Sequence, residues 1–210
     1  METKTSPFEG AYPEKVLSIY HAVIHFFCSE RDLSTVKITD IAQAAGIGKG
    51  TVYEYFSSKE EVIVKAVLYA VEIVFDKIST MTRQEEGIKN RIYSVMEYLL
   101  ENNYERIALI RALTQDPLSK ELKMMLQNEC DRIETLKDTW AVMARRLLED
   151  AVKEGVILPP PSDFYWQMVL HGALSGLMCG QTSMLRMSTD QMSNREIMDS
   201  VYRMMIKALN

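Results

Sequence analysis

Apolar residues return every three or four positions along nearly the whole chain, and no stretch alternates with a period of two, so the pattern predicts an all-α protein. Val16, Ile19, Tyr20, Val23, Phe26 and Phe27 set the first helix, from near Pro13 to about Ser29, behind a loose arm over residues 1–11. Ile41 and Ala45, four apart, suit a two-turn helix over 40–45 that Gly46 ends through a positive φ. Val52 and Phe56, again four apart, give a second short helix from Gly48 or Lys49 to Tyr55. Ser57 or Ser58 then caps a long helix whose stripe of Val62, Ala66, Val67, Ala70, Val71, Val74, Phe75 and Ile78 carries it to about Thr80, a strut of roughly 30 Å. Further helices are expected at 85–101, 103–112, 118–154, 162–182 and 193–209. The breaks between them are marked by Asp116-Pro117, by Gly155 with Pro159 to Pro161, and by the stretch from Ser188 to Asn194.

Two short helices joined by a glycine-bearing turn make a helix-turn-helix, whose second helix is sized for a DNA major groove. Lys49, Thr51, Tyr53 and Tyr55 point away from its apolar side, and phenol hydroxyls are good donors to phosphate. Half-buried packing is the other reading of Tyr53. Thr39 stands where an N-cap belongs, its hydroxyl closing the first turn of the helix. Gly50 omits a side chain where the helix must approach either a neighbouring helix or the DNA backbone. Glu54 places a carboxylate on this helix, to accept from a cytosine amino group or to point into solvent, with solvent the reading favoured by sequence.

The run IAQAAGIGKGTVYEYFSSKEE resembles the DNA-binding signature of TetR/AcrR-type bacterial transcriptional regulators, I-A-x-x-A-G-V-S-x-G-T-[LIV]-Y-x-[YH]-F-x-[SN]-K-E-[ED]. The match is long and without gaps. It departs at Gly48, where the family usually has serine, which weakens the cap of the recognition helix. The resemblance implies an N-terminal helix-turn-helix domain over 12–58, joined by the long helix to a helical effector-binding and dimerisation domain over 59–210. It also implies that Thr39, Lys49, Gly50, Thr51, Tyr53, Tyr55 and Lys59 face phosphates and groove, with Lys49 and Gly50 nearest base edges. The expected function is a ligand-responsive regulator, a homodimeric repressor released from a near-palindromic operator when a small hydrophobic effector shifts the strut. The alternative is a DNA-bound factor that recruits another protein and senses nothing.

Charge complicates this picture. The chain carries 24 basic and 29 acidic side chains, net −5, without the bulk basic footprint of many DNA binders. Placement supports DNA binding nonetheless, because Lys37, Lys49 and Lys59 bracket the two short helices while Glu14, Glu30 and Asp32 lie outside them. Modest affinity for each half-site follows, with specificity resting on a dimer. At 210 residues the chain can bury a full core, and it has no apolar run near the ~20 residues that span a bilayer. The N-terminus lacks the order of a secretory signal. A cytoplasmic protein that does not enter a membrane is expected.

Cys28, Cys130 and Cys179 are odd in number and irregular in spacing, giving neither a disulfide framework nor a metal signature. His21, His25 and Cys28 do align on one helix face, but no further ligand cluster lies near them in sequence, and a boundary between core and surface explains them. No metal or cofactor is expected. Nor is an enzyme, since the chain has no nucleophile elbow, phosphate-cradling glycine loop or HExxH.

Gly172, Gly176 and Gly180 recur at steps of four, so one side of their helix admits a close neighbour. A close-packed core within one chain would explain this. With Ile197, Val201, Met204, Met205 and Ala208 of the last helix, the glycines also resemble the family's two-fold four-helix dimer interface, which assigns Gly172, Gly176, Gly180, Ile197, Val201 and Met204 to dimer contacts. Met96, Tyr104, Trp140, Met143, His171, Leu174 and Met178 sit on apolar faces, the last three turned from the glycines, and are the candidate effector pocket. The effector would be cationic if Trp140 or Tyr104 lines that pocket.

Overall fold

The computed structural model describes residues 12–28, 35–84, 87–100, 128–181 and 192–210. Among these residues it is all helical. The helices are α1 (Glu14–Cys28), α2 (Ile38–Ala44), α3 (Lys49–Tyr55), α4 (Lys59–Gln84), α5 (Ile88–Leu100), α6 (Cys130–Lys153), α7 (Asp163–Gln181) and α8 (Asn194–Ala208). The expected arm over 1–11, the helix at 103–112 and the start of the helix expected from 118 lie outside the described residues.

Three boundaries differ from the sequence reading, each for a local reason. α2 begins at Ile38, because the Asp40 carboxylate accepts the Lys37 N–H at 3.0 Å and makes residue 37 the cap. Thr39 is therefore inside the first turn and is not the cap. α4 continues to Gln84, four residues past Thr80, and carries buried Thr82 by letting its hydroxyl donate to the Ser79 carbonyl at 3.0 Å. α5 starts only at Ile88, since Gly87 takes a φ of 78°.

The chain forms two compact units. In described residues the first comprises 12–28, 35–77 and 128–140, and the second 78–84, 87–100, 141–181 and 192–210. Ile19, Val23, Ile41, Val52 and Val62 are fully enclosed in the core of the first unit. Tyr12, Tyr20 and Tyr69 meet there at ring separations of 5.2 to 5.6 Å. In the second unit, Arg91 of α5 pairs with Asp150 and with Glu154 (2.9 Å) of α6, Tyr93 donates to Asp199 of α8 at 2.6 Å, and α7 packs on α8. Gly155, at φ 68°, ends α6 at the break expected there. No described helix is long and apolar enough to cross a membrane.

Candidate nucleic-acid interface

The turn between α2 and α3 is built by backbone chemistry. Gly46 adopts φ 69°, its N–H donates to Gln43 and the Ile47 N–H to Ala42, at 3.1 and 3.0 Å. These bonds satisfy the last carbonyls of α2 and reverse the chain. Gly48 is the α3 cap and offers no side-chain acceptor, as its departure from the family's serine implies. Its carbonyl still accepts from Thr51 at 3.0 Å.

α3 is held by its apolar side. Val52 is wholly buried, and Phe56 packs 5.9 Å from the Tyr20 ring of α1. That anchoring turns the rest of the helix outward: Lys49, Gly50, Tyr53, Glu54 and Tyr55 are exposed, and Thr51 is half-buried. Tyr53, at 49% exposed, is thus not packing, and Tyr55 is exposed too. The Lys49 ammonium lies 5.8 Å from the centre of the Tyr53 ring, so cation and phenol form one surface feature. At Gly50 a Cβ would meet, beyond its own helix backbone and chain neighbours, no atom of the described residues within 4 Å, so no described neighbouring helix is the reason for glycine.

The entry into α4 is fixed by a reciprocal cap. The Glu61 N–H donates to Ser58 Oγ at 3.1 Å, while the Ser57 N–H and hydroxyl donate to the Glu61 carboxylate at 2.7 and 2.6 Å. Partial burial works to raise the Glu61 carboxyl, but the bonds from Lys65 and Ser57 outweigh it and bring it down to about 2. Thr39 is exposed and Lys59 half-buried at the rims of the same surface.

Sequence reasoning missed a buried ionic knot behind this interface. Glu72 of α4, buried, receives both Arg132 Nε and Arg132 Nη2 (2.8 Å) from α6, and Arg132 Nη2 also donates to the Tyr12 hydroxyl at 2.9 Å. Burial raises the Tyr12 hydroxyl, against the lowering influence of Arg132. No local spacing reveals a contact between residues 120 positions apart.

The other candidates divide. Met96 and Met143 are buried and Leu174 half-buried in the second unit, whereas Trp140 belongs to the first, stacked 5.5 Å from Phe75. His171 is exposed beside Gly172, so it is no interior lining. The inward stripe of α7 is Trp166, Val169, Ala173 and Leu177, and His171 lies about 160° around the helix from Ala173. Tyr104 and the side chains of Met178 and Gly180 lie outside the described residues. The buried Trp166 Nε1–H, which the sequence did not single out, finds no acceptor among the described residues.

The glycine stripe is corrected in part. A Cβ at Gly176 would stand 3.2 Å from Val201 Cγ2, and one at Gly172 3.8 Å from Met204 Cε, so the close neighbour is α8 of the same chain. Ile197 and Val201 are buried within the unit and offer little to a partner. Phe164, Met168 and Met204 remain exposed, at 69, 49 and 42%. Among the described residues no three His, Cys, Asp or Glu side chains are grouped to hold a metal ion.

A short helix clamped by its apolar side, with lysine, threonine and phenols turned outward behind a glycine turn, defines a helix-turn-helix DNA-binding protein. Residues 28–66 match the family model described as bacterial regulatory proteins, tetR family. Over that segment the chain is similar to TetR-family transcription regulators, whose DNA-binding helix-turn-helix it shares. It is 29% identical over 131 residues to the HTH-type transcriptional repressor KstR2 of Rhodococcus jostii, covering 60% of each chain. Nucleoid occlusion factor SlmA of Haemophilus influenzae is 24% identical over 124 residues, 58% of this chain and 57% of the relative. The match thus spans less than two thirds of either relative. In fold, the chain is similar to the transcriptional regulator FadR of Bacillus subtilis, solved in complex with stearoyl-CoA, with a TM-score of 0.65 at 16% identity over 92% of this chain and 99% of that one.

Proposed function

We propose that this chain is a cytoplasmic homodimeric repressor whose residues 12–58 read a near-palindromic operator and whose residues 59–210 dimerise and bind a small hydrophobic effector. The observation that carries the DNA part is the outward face of α3, set by buried Val52 and Phe56. On this reading Thr39, Thr51, Tyr53, Tyr55 and Lys59 contact phosphates and groove walls, and Lys49 and Gly50 approach base edges. A two-fold partner would repeat the head about 34 to 36 Å away, one turn of duplex.

Exposed Phe164, Met168 and Met204 support the dimer, since large apolar side chains clustered outside a core favour a matching surface. The name of KstR2 supports the repressor sign, and the stearoyl-CoA complex of FadR supports a hydrophobic effector. Met96, Met143, Leu174 and Trp166 are the residues proposed to meet it, with the Trp166 indole N–H donating to an effector oxygen. Effector binding can release DNA only by as much as it prefers the released state, and tenfold corresponds to about 1.4 kcal/mol. α4 contributes to both compact units and is the proposed covalent path.

Retardation of the chain's own promoter DNA at low salt, reversed by one of a panel of lipophilic compounds that includes long-chain acyl-CoA esters, tests this reading. No retardation removes the regulator. Retardation that no compound reverses, with no thermal shift from any of them, favours the second reading, a DNA-bound recruiting factor, for which the relative named as a nucleoid occlusion factor is the supporting observation.

A further inference from the structure

The centre of the α3 outward face is an acid. At about 100° per residue, Gly50 and Glu54 each lie about 160° from Val52, farther round than any other side chain of the helix. Lys49 and Tyr53 flank this line on one side, Thr51 and Tyr55 on the other. Gly50 leaves the space above it open, so the helix backbone can approach a surface there. Glu54, one turn on, then becomes the longest side chain aimed along the axis of approach.

Its carboxylate is not occupied elsewhere. Asp40 and Glu61, in the same unit, are both spent on helix caps. Among the described residues the Glu54 side chain makes no hydrogen bond or ion pair, and positions 50, 51, 57 and 58, three and four residues away, are Gly, Thr, Ser and Ser, with no cation to neutralise it. A carboxylate only accepts, so on a groove floor it is repelled by the guanine O6 and N7 and by the thymine O4. Donors there are the exocyclic amines. Adenine sets its N6 amine beside the acceptor N7, whereas cytosine presents N4 without one.

Resting on the reading of α3 as the groove helix, we propose that Glu54 is a specificity-determining residue that accepts a hydrogen bond from the N4 amine of a cytosine in each operator half-site. This reverses the solvent-facing reading favoured by sequence alone.

The test is selection from random-sequence duplexes by the full chain as wild type, Glu54→Ala and Glu54→Gln, followed by affinity measurements on single-base variants of the selected site at one salt concentration. The wild type is expected to select a fixed C·G pair at one position of each half-site. Glu54→Ala loses that preference by about tenfold and keeps the others, while Glu54→Gln moves it toward adenine, to which glutamine pairs through N6 and N7. If Glu54→Ala tightens binding to all sequences alike and leaves every base preference unchanged, the carboxylate only repels phosphate and the proposal is overturned. If the wild type selects no sequence at all, the groove-helix reading falls and takes the proposal with it. Circular dichroism of the variants confirms that the exposed substitution leaves the fold intact.

Discussion

The α2–α3 segment and the α7–α8 pair solve opposite problems with the same helical periodicity. In α2–α3 the large aliphatic groups are inside, Ile41 and Val52 fully so, and what faces out is lysine, hydroxyl, phenol and one carboxylate. In α7–α8 the inward stripe is equally apolar, yet Phe164, Met168 and Met204 still stand outside. A surface of donors on a rigid backbone suits a polar, charged partner, whereas exposed thioethers and a phenyl ring suit another apolar surface. Glycine makes the contrast sharper. Gly50 and Gly176 look alike in sequence, but one opens to empty space and the other is filled by Val201.

The largest expected effect breaks the interior behind the head. Arg132→Met leaves Glu72 buried without its cation, with an expected loss of about 3 kcal/mol in denaturant unfolding, while the double variant Glu72→Leu/Arg132→Met recovers most of it. A single variant as stable as wild type would show that the knot contributes nothing. Next, Phe164→Asp with Met168→Ser puts charge and a hydroxyl on the exposed stripe. Sedimentation should show dimerisation weakened by at least about tenfold, or 1.4 kcal/mol, with helix content unchanged.

Smaller effects separate the two glycines. Gly50→Ala should stabilise the chain by up to about 1 kcal/mol while weakening DNA binding, because an exposed helical glycine costs entropy and a methyl group there keeps the duplex away. Gly176→Ala should gain less or lose, since its methyl group meets Val201 at 3.2 Å. The smallest effect is a pH dependence. The Glu61 carboxyl falls from its ordinary 4.5 to about 2 on folding, so its contribution is complete above 4.5 and is lost as pH drops toward 2. Glu61→Gln should flatten the acid limb of a thermal-unfolding series without changing stability there at the lowest pH.

Much of the DNA-binding head was legible because its determinants are local. Val52 and Phe56 four apart, Gly46 in the turn and Gly48 without a cap side chain all act within one helical turn of themselves, as does the break at Gly155 in the second unit, whereas the break at Gly87 was missed. Periodicity likewise predicted that Met96 and Met143 lie on apolar faces, and both are buried. The α2 start was misplaced although its signal was also local, an aspartate three residues after Lys37. The capping pair Ser193 and Glu196, with the Glu196 N–H donating to Ser193 Oγ at 3.3 Å, was equally readable in the S-x-x-E spacing and went unread.

Sequence by itself determined the helices, the turn between α2 and α3 and the class of chemistry on α3, because hydrogen bonds and side-chain spacing within a helix depend on near neighbours. Only the tertiary structure decided that α8 fills the glycine side of α7, that His171 faces out, that Arg132 reaches back to Glu72 and Tyr12, and that, among the described residues, no neighbouring side chain occupies Glu54. Those outcomes turn on which faces pack together, and packing is settled between residues far apart in the chain, where excluded volume and desolvation choose among faces that periodicity leaves equivalent.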